Sequence, residues 1–394
     1  MKKLLVIIVA VIFSAGLVVA QNTSTTEQTG NSNTATTTQT GNNDAEIVQI
    51  GDFQEATVTQ GGDNLSGVYQ LNNGYKNEGT ITQTGSGNEA WINQGMTNGY
   101  WADYKTVDAK WNKSSITQTG NSNYGSLEQY GGSSCSNGNE AYLNQNGNSN
   151  TAYGYQGWAY GGWGETYTTS HLKSYNSTIN ISQVNNNNYA ATWQYGGNRN
   201  EASISQDGNN NLAQISQGFI YTDYPYTFSH PVYNTTDNKA EITQSGDNNF
   251  GKVMQLGNNN SLKLSQGNGS SVGYDASATG LEASRNAYFQ QDGNNNQFAG
   301  VNKSGNSISF SGSVDAEQVN GAELDAVSEG ISGYYGSFQK GDGNTIGLRQ
   351  YNDKALIQQL GNSNTAVLWQ QGVDVHNATI LQNGDSNTAT VLQQ

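Results

Sequence analysis

The stretch QDGNNNLAQISQ, residues 206–217, decides the fold. Counting back from Gln217, an aliphatic (Ile215) stands two residues before it, a small residue (Ala213) four before, and an amide (Asn211) six before. All three offsets are even, and in a β-strand side chains at even separations share one face. Asn211, Ala213, Ile215 and Gln217 therefore point inward together, while the odd positions face solvent. Two residues after Gln206 comes Gly208, followed by Asn, where a reversing chain needs positive φ. The unit is one short strand followed by one tight arc.

Working outward, the unit recurs at Gln28, Gln39, Gln49, Gln60 and Gln70, spaced alternately by 11 and 10 residues. It returns at Gln83 and Gln94, Gln118 and Gln129, Gln145 and Gln156, Gln183 and Gln194, and Gln244, Gln255 and Gln266. The last copies stand at Gln339 and Gln350, Gln359 and Gln370, and Gln382 and Gln393. Asn33, Asn43, Asn88, Asn364 and Asn387 hold the position six before their Gln. An unbonded buried amide costs about 1–3 kcal/mol. Stacking like on like about 4.8 Å apart lets each amide donate to one neighbour and accept from the other. About 26 arms predict roughly 13 two-strand coils and a stack about 60 Å long. The expected fold is all-β: a β-solenoid of strand–arc–strand coils with amyloid-type cross-β stacking.

The unit Q-x-G-x-x-N-x-A-x-x-x-Q resembles the repeat of curlin, the subunit of bacterial curli fibres. It reads QTGNSNTATTTQ at 28–39, QTGSGNEAWINQ at 83–94 and QLGNSNTAVLWQ at 359–370, besides 206–217. The resemblance implies a subunit that grows by templated stacking into adhesive fibres of a biofilm matrix. It also implies export through a curli-type outer-membrane pore and a separate nucleator subunit as a partner. Asn stands here where the family's first arm commonly has Ser, and the repeats outnumber the family's usual five or so. They begin at Asn22 and Gln28 with no separate targeting stretch ahead of them.

Residues 1–20 read as a signal peptide. Lys2 and Lys3 precede an apolar run from Leu4 to Phe13, and Val18-Val19-Ala20 forms a small-residue cleavage site. The run is too short to span a membrane, and the absence of Cys at the cleavage point argues against a lipid anchor. A secreted, extracellular, cell-surface protein is expected, with residues 21–394 as a single repeat unit. Its composition, 34% hydrophobic and 12% charged, is too polar for a conventional core and too weakly charged for a solvated tail. Asn- and Gln-rich chains of this kind favour stacked β-assembly. The formal charge is −15; Lys2 and Lys3 contribute +2, so the mature chain stands at −17. That charge argues against nucleic acid as a partner and keeps free subunits soluble. Cys135 is the single cysteine, so no intrachain disulfide is available.

Six arcs look expanded, at about 95–111, 130–138, 157–176, 218–237, 267–284 and 303–336. Alternate counting of arms sends the first four to one edge and the last two to the other. These loops are aromatic-rich, and Trp101, Trp111, Trp158, Trp163, Tyr224 and Tyr226 are the candidate adhesive residues, facing a glycan or a host or matrix surface. Packing among themselves, to order the long loops, is the plainer explanation.

No constellation speaks for catalysis, a metal or a cofactor. His171, His230 and His376 are far apart and read as solvated loop residues, and the arginines Arg199, Arg285 and Arg349 form no clamp. The Gly-Asp pairs lack a calcium-binding repeat period, and Gly161-Gly162 lacks the Lys and Ser/Thr of a phosphate loop. An enzyme on a β-helix would need a charged cluster on one face, where Thr and Ser stand instead. The leading reading is a structural subunit of a curli-like functional amyloid fibre, whose partner is itself. The stacking ladder is assigned to Gln28, Asn33, Gln39, Asn43, Gln49, Gln60, Gln83, Asn88, Gln94, Gln206, Asn211, Gln217, Gln359, Asn364, Gln370, Gln382, Asn387 and Gln393. The alternative is a monomeric secreted adhesin or carbohydrate-binding solenoid that uses its aromatic loops.

Overall fold

The computed structural model describes residues 22–95, 110–129, 138–157, 174–218, 235–272, 289–304, 307–320, 322–325, 328, 331–332, 336–372 and 375–394. The expected signal peptide lies outside these residues, as do Cys135, His171, His230 and most of the first four expansions. The fold is all-β. Among the described residues, twenty-eight strands belong to one large, mainly parallel sheet, and Ser174–Tyr175, Gly197–Asn198 and Thr235–Thr236 form a small second one.

The first five strands display the plan: β1 (Thr23–Thr29), β2 (Thr34–Gly41), β3 (Asp44–Asp52), β4 (Glu55–Tyr75) and β5 (Glu78–Gln94). β1 pairs with β3 and β2 with the first half of β4, parallel and in register, so Gln28 meets Gln49 and Gln39 meets Gln60. The second half of β4 then pairs with β3, bringing Gln70 opposite Gln49. Each arm thus skips its sequence neighbour and stacks on the arm two places away. Two in-register ladders result. Ladder A starts at Gln28 and ladder B at Gln39.

Alternation sets what lies between them. In β5 the residues Ile81, Gln83, Asn88, Ala90, Ile92 and Gln94 are buried, and the outward Thr80 and Glu78 are exposed. One continuous apolar core runs the length of the stack, from Ala45 and Ile47 to Ala378 and Ile380. β-branched residues dominate its aliphatic positions because they fit a pleated, buried surface. Where one arm lacks volume, its neighbour supplies it. Gly154 stands where an aliphatic is expected, and Ile179 occupies the facing position that is most often Ala, 3.4 Å from where a Cβ on Gly154 would lie.

The arcs are held tight by glycine. Gly85 has φ +110°, and a Cβ there would lie 2.0 Å from the carbonyl oxygen of Gly120 in the next coil. Both conformation and stacking distance exclude a side chain.

Three successive arms depart from this plan. Ser271–Val272 and Phe289–Asp292 pair with one strand, Phe250–Leu256, although 273–288 intervene. Gln297–Phe298 and Ala316–Gln318 likewise share Ser261–Gly267 as partner, with an excursion between them. Glu323–Leu324 and Phe338–Lys340 share Lys354–Leu360. The expansions expected in the arcs at 267–284 and 303–336 therefore interrupt strands instead, because a strand can leave its ladder at an outward position and rejoin without disturbing the inward ones. In the second excursion Gln297–Ser304 forms an antiparallel hairpin with Ser307–Ser311. Val301, Ile308 and Phe310 of that hairpin pack over Val367, Trp369 and Leu392 on the outer face of ladder B.

Candidate stacking interface

Thirteen glutamines form ladder A: Gln28, Gln49, Gln70, Gln94, Gln129, Gln156, Gln194, Gln217, Gln255, Gln291, Gln339, Gln359 and Gln382. Each Nε2 donates to Oε1 of the next at 2.6–3.0 Å. Ladder B has thirteen as well: Gln39, Gln60, Gln83, Gln118, Gln145, Gln183, Gln206, Gln244, Gln266, Gln318, Gln350, Gln370 and Gln393. They are joined in the same direction at 2.7–3.2 Å. The second N–H of the amide crosses the core to a backbone carbonyl of the other ladder, as from Gln118 to Glu89 and from Gln217 to Glu201, both 3.0 Å. Each such glutamine ties its own ladder along the stack and joins the two ladders to each other.

The asparagines run the opposite way. The backbone N–H of Asn64 donates to Oδ1 of Asn43, that of Asn88 to Asn64, and that of Asn211 to Asn188, each near 3.0 Å. Nδ2 of the same residue reaches an arc carbonyl, as from Asn88 to Gly120 at 2.8 Å. At the other edge Asn364 donates to Asn344, and Asn387 to Asn364. A third series lies in the arcs, where Asn31 N–H donates to Asp52, Asn294 to Asp342 and Asn362 to Asp385. Each of the three series is polar, the glutamine and arc series donating one way along the stack and the asparagine series the other.

Two rungs escaped the sequence reading. Gln291 carries the Q-x-G-x-x-N signature in QDGNNN at 291–296, and the excursion before Phe289 hides its arm. Gln318 has no such signature, since Val319 and Asn320 follow it. Only the register reveals it. Irregular rungs also sit on the asparagine positions. Gln54 takes an Asn place, is buried, and neither its side-chain nitrogen nor its oxygen has a hydrogen-bond partner. Asp353 and His376 take two others. Asp353 is fully buried and accepts the His376 backbone N–H at 2.7 Å, with Nδ1 at 3.1 Å. His376 is thus part of the stack, where the sequence suggested a solvated loop residue.

The first and last coils differ from the rest. All seven residues of β1 are exposed, and among the described residues β1 pairs only with β3. At the other end Thr388–Gln393 pairs only with Thr365–Gln370 and is exposed or half-buried throughout. Gln28 and Gln39 donate along their ladders without receiving a ladder bond, and Gln382 and Gln393 receive without donating one. Gln94, Gln129, Gln156 and Gln217, which precede the first four expansions, all lie in ladder A. Of the candidate adhesive residues, Trp101, Trp158, Trp163, Tyr224 and Tyr226 lie outside the described residues, and Trp111 is exposed at an arc.

Residues 197–218 and 235–267 match the curlin associated repeat. Gln206, Gln217, Gln244, Gln255 and Gln266 all fall within them, so the repeat defined by the match is the strand–arc unit seen in both ladders. No curated protein matches the chain. Curlin-repeat proteins are structural, not catalytic. Among the described residues no three His, Cys, Asp or Glu side chains are grouped to hold a metal ion, and no helix is long and apolar enough to cross a membrane.

Proposed function

We propose that the chain is a β-solenoid subunit of an extracellular, curli-like amyloid fibre, growing by head-to-tail stacking of coils. The observation that carries this reading is the polarity of the ladders at two open ends. Gln382 and Gln393 present side-chain N–H groups at one end, and Gln28 and Gln39 present carbonyl oxygens at the other. In the same register the Asn33 backbone N–H meets Oδ1 of Asn387, and the Asp385 N–H meets Oδ1 of Asn31. A second copy so placed continues every ladder at the spacing of an internal coil. Burying the exposed end strands and completing their ladders supply the driving force, about 1 kcal/mol for each bond completed. Secretion and cell-surface adhesion follow from the amino-terminal segment and the repeat family, and the eighteen assigned amides act as the ladder. A curli-type pore and a nucleator subunit are the partners this reading calls for.

The test is to release the mature chain from denaturant and follow thioflavin-T signal, electron microscopy and fibre diffraction. Seeded growth of fibres with a meridional reflection near 4.8 Å is expected. A folded, β-rich monomer that persists at high concentration would sink the fibre reading and favour a monomeric adhesin.

A further inference from the structure

One residue of each arc from ladder A to ladder B, immediately before the asparagine rung, has left-handed or otherwise positive φ. Along the stack this column reads Ser32, Phe53, Lys76, Trp111, Gly138, Asn176, Arg199, Asp237, Asn259, Asn295, Gly343, Ser363 and Ser386. Gly, Asn, Asp and Ser suit that conformation, whereas an aromatic side chain is strained there by about 1–3 kcal/mol. Phe53 (φ +57°) and Trp111 (φ +60°) accept that strain and still leave their rings in water, 49% and 46% exposed. Burial in the core does not explain them.

The rings are ordered by one another. Phe53 meets Tyr75 edge to face at 5.5 Å between centroids, and Tyr75 meets Trp111 in the same way at 5.7 Å. The Lys76 ammonium is held 4.4 Å from the Trp111 ring centre and 5.4 Å from that of Tyr75. The backbone beneath is fixed by N–H donations from Lys76 to Asp52 and from Trp111 to Tyr75. Phe53 and Trp111 are two coils apart, about 10 Å, along one edge of the stack.

We infer that Phe53, Tyr75, Lys76 and Trp111 form a binding ridge for a linear polysaccharide, which lies along the edge with pyranose faces on the rings. The area decides against a protein partner. Two half-exposed rings offer about 200 Å², against about 800 Å² per side for a stable protein interface. A narrow chain of sugar rings needs no more, since its apolar C–H faces recur at intervals that two ring platforms can meet. Lys76 supplies a cation, held by π contacts, to a sugar hydroxyl or carboxylate, on a chain whose formal net charge is −15. Uronate sugars are therefore favoured. The ridge lies on the side of the stack and is displayed by monomer and fibre alike, so the inference stands apart from the fibre reading.

The test compares the mature chain with the double variant F53N/W111N and with K76Q, using cellohexaose and oligogalacturonate as probes. Asn is the residue already standing in the column at Asn259 and Asn295. The double variant should bind both probes at least tenfold more weakly while melting at the same or a higher temperature. That combination is opposite to the effect of losing a structural staple. K76Q should keep cellohexaose binding and lose the preference for oligogalacturonate. Failure of the unaltered chain to bind either probe would overturn the inference. So would unchanged binding by F53N/W111N, or an unchanged uronate preference in K76Q.

Discussion

The uninterrupted coils and the three interrupted arms between Ser271 and Phe338 build the same interior from different residues. In an uninterrupted arm such as Glu201–Asp207, Ala202 is followed by Ile204 and Gln206 on the inward face, all buried. In the interrupted arm ending at Gln318 the order of sizes is reversed. Phe298 takes the Ala position and Ala316 the aliphatic one, and Phe298 packs on Phe289 of the neighbouring interrupted arm at 4.8 Å. The glutamine is the same in both. Apolar volume can be traded across a coil because dispersion and burial have no direction, whereas the amide ladder admits no substitute that both donates and accepts along the stack.

That contrast can be broken most severely at the swapped aromatic. Phe298→Ala should cost about 3–5 kcal/mol in denaturant unfolding, because no neighbour can refill the site. Adding Ala316→Ile should recover about half of that loss if volume alone is at stake. Gln118→Ala, in an uninterrupted coil, should cost about 3 kcal/mol by orphaning its ladder partners and Glu89 O. Gln318→Ala should cost about 1 kcal/mol less, since the bonds described for Gln318 run along the ladder only.

A smaller effect separates the interior from the outer face. Burial, and for Tyr69 the hydrogen bond to Glu46 at 2.6 Å, pushes the phenols of Tyr69 and Tyr155 upward. A raised folded value means the native state holds its proton more tightly than the unfolded chain. Stability is then full below about pH 10 and falls as pH rises beyond it, more for the better-buried Tyr155 than for Tyr69. The amide ladders do not titrate, so acid should leave them intact. Unfolding midpoints at pH 4, 7 and 11 check both arms. The smallest change is a gain: Gln54→Asn should stabilise by about 1 kcal/mol by giving the rung a side chain that reaches its partners.

Most of this architecture is legible in the sequence because its signal is chemical identity at fixed even offsets. Gln206, Asn211, Ile215 and Gly208 specify their own positions, and repetition makes the register readable without a structure. The interrupted arms are not legible in that way. Phe289 and Ala316 stand two residues before their glutamines, but the Ala-position partners, Val272 and Phe298, lie seventeen or eighteen residues further back, beyond any local pattern. The edge ridge is hidden for another reason. Phe53 and Trp111 look like ordinary loop aromatics until the backbone shows both at a positive-φ position that most other coils fill with Asn, Asp, Ser or Gly.

The central claim, that ladder polarity directs one copy onto the next, is tested most directly by a cross-link at the junction. Thr379 of one copy and Thr25 of the next would stand side by side on the outer face of ladder A, about 4.8 Å apart, within disulfide reach. With Cys135 replaced by Ser, fibres of T25C/T379C should oxidise to a ladder of covalent dimers, trimers and longer species, while T25C alone stays monomeric under denaturing electrophoresis. Fibres of T25C/T379C that do not cross-link, or T25C fibres that cross-link equally well, would contradict head-to-tail stacking.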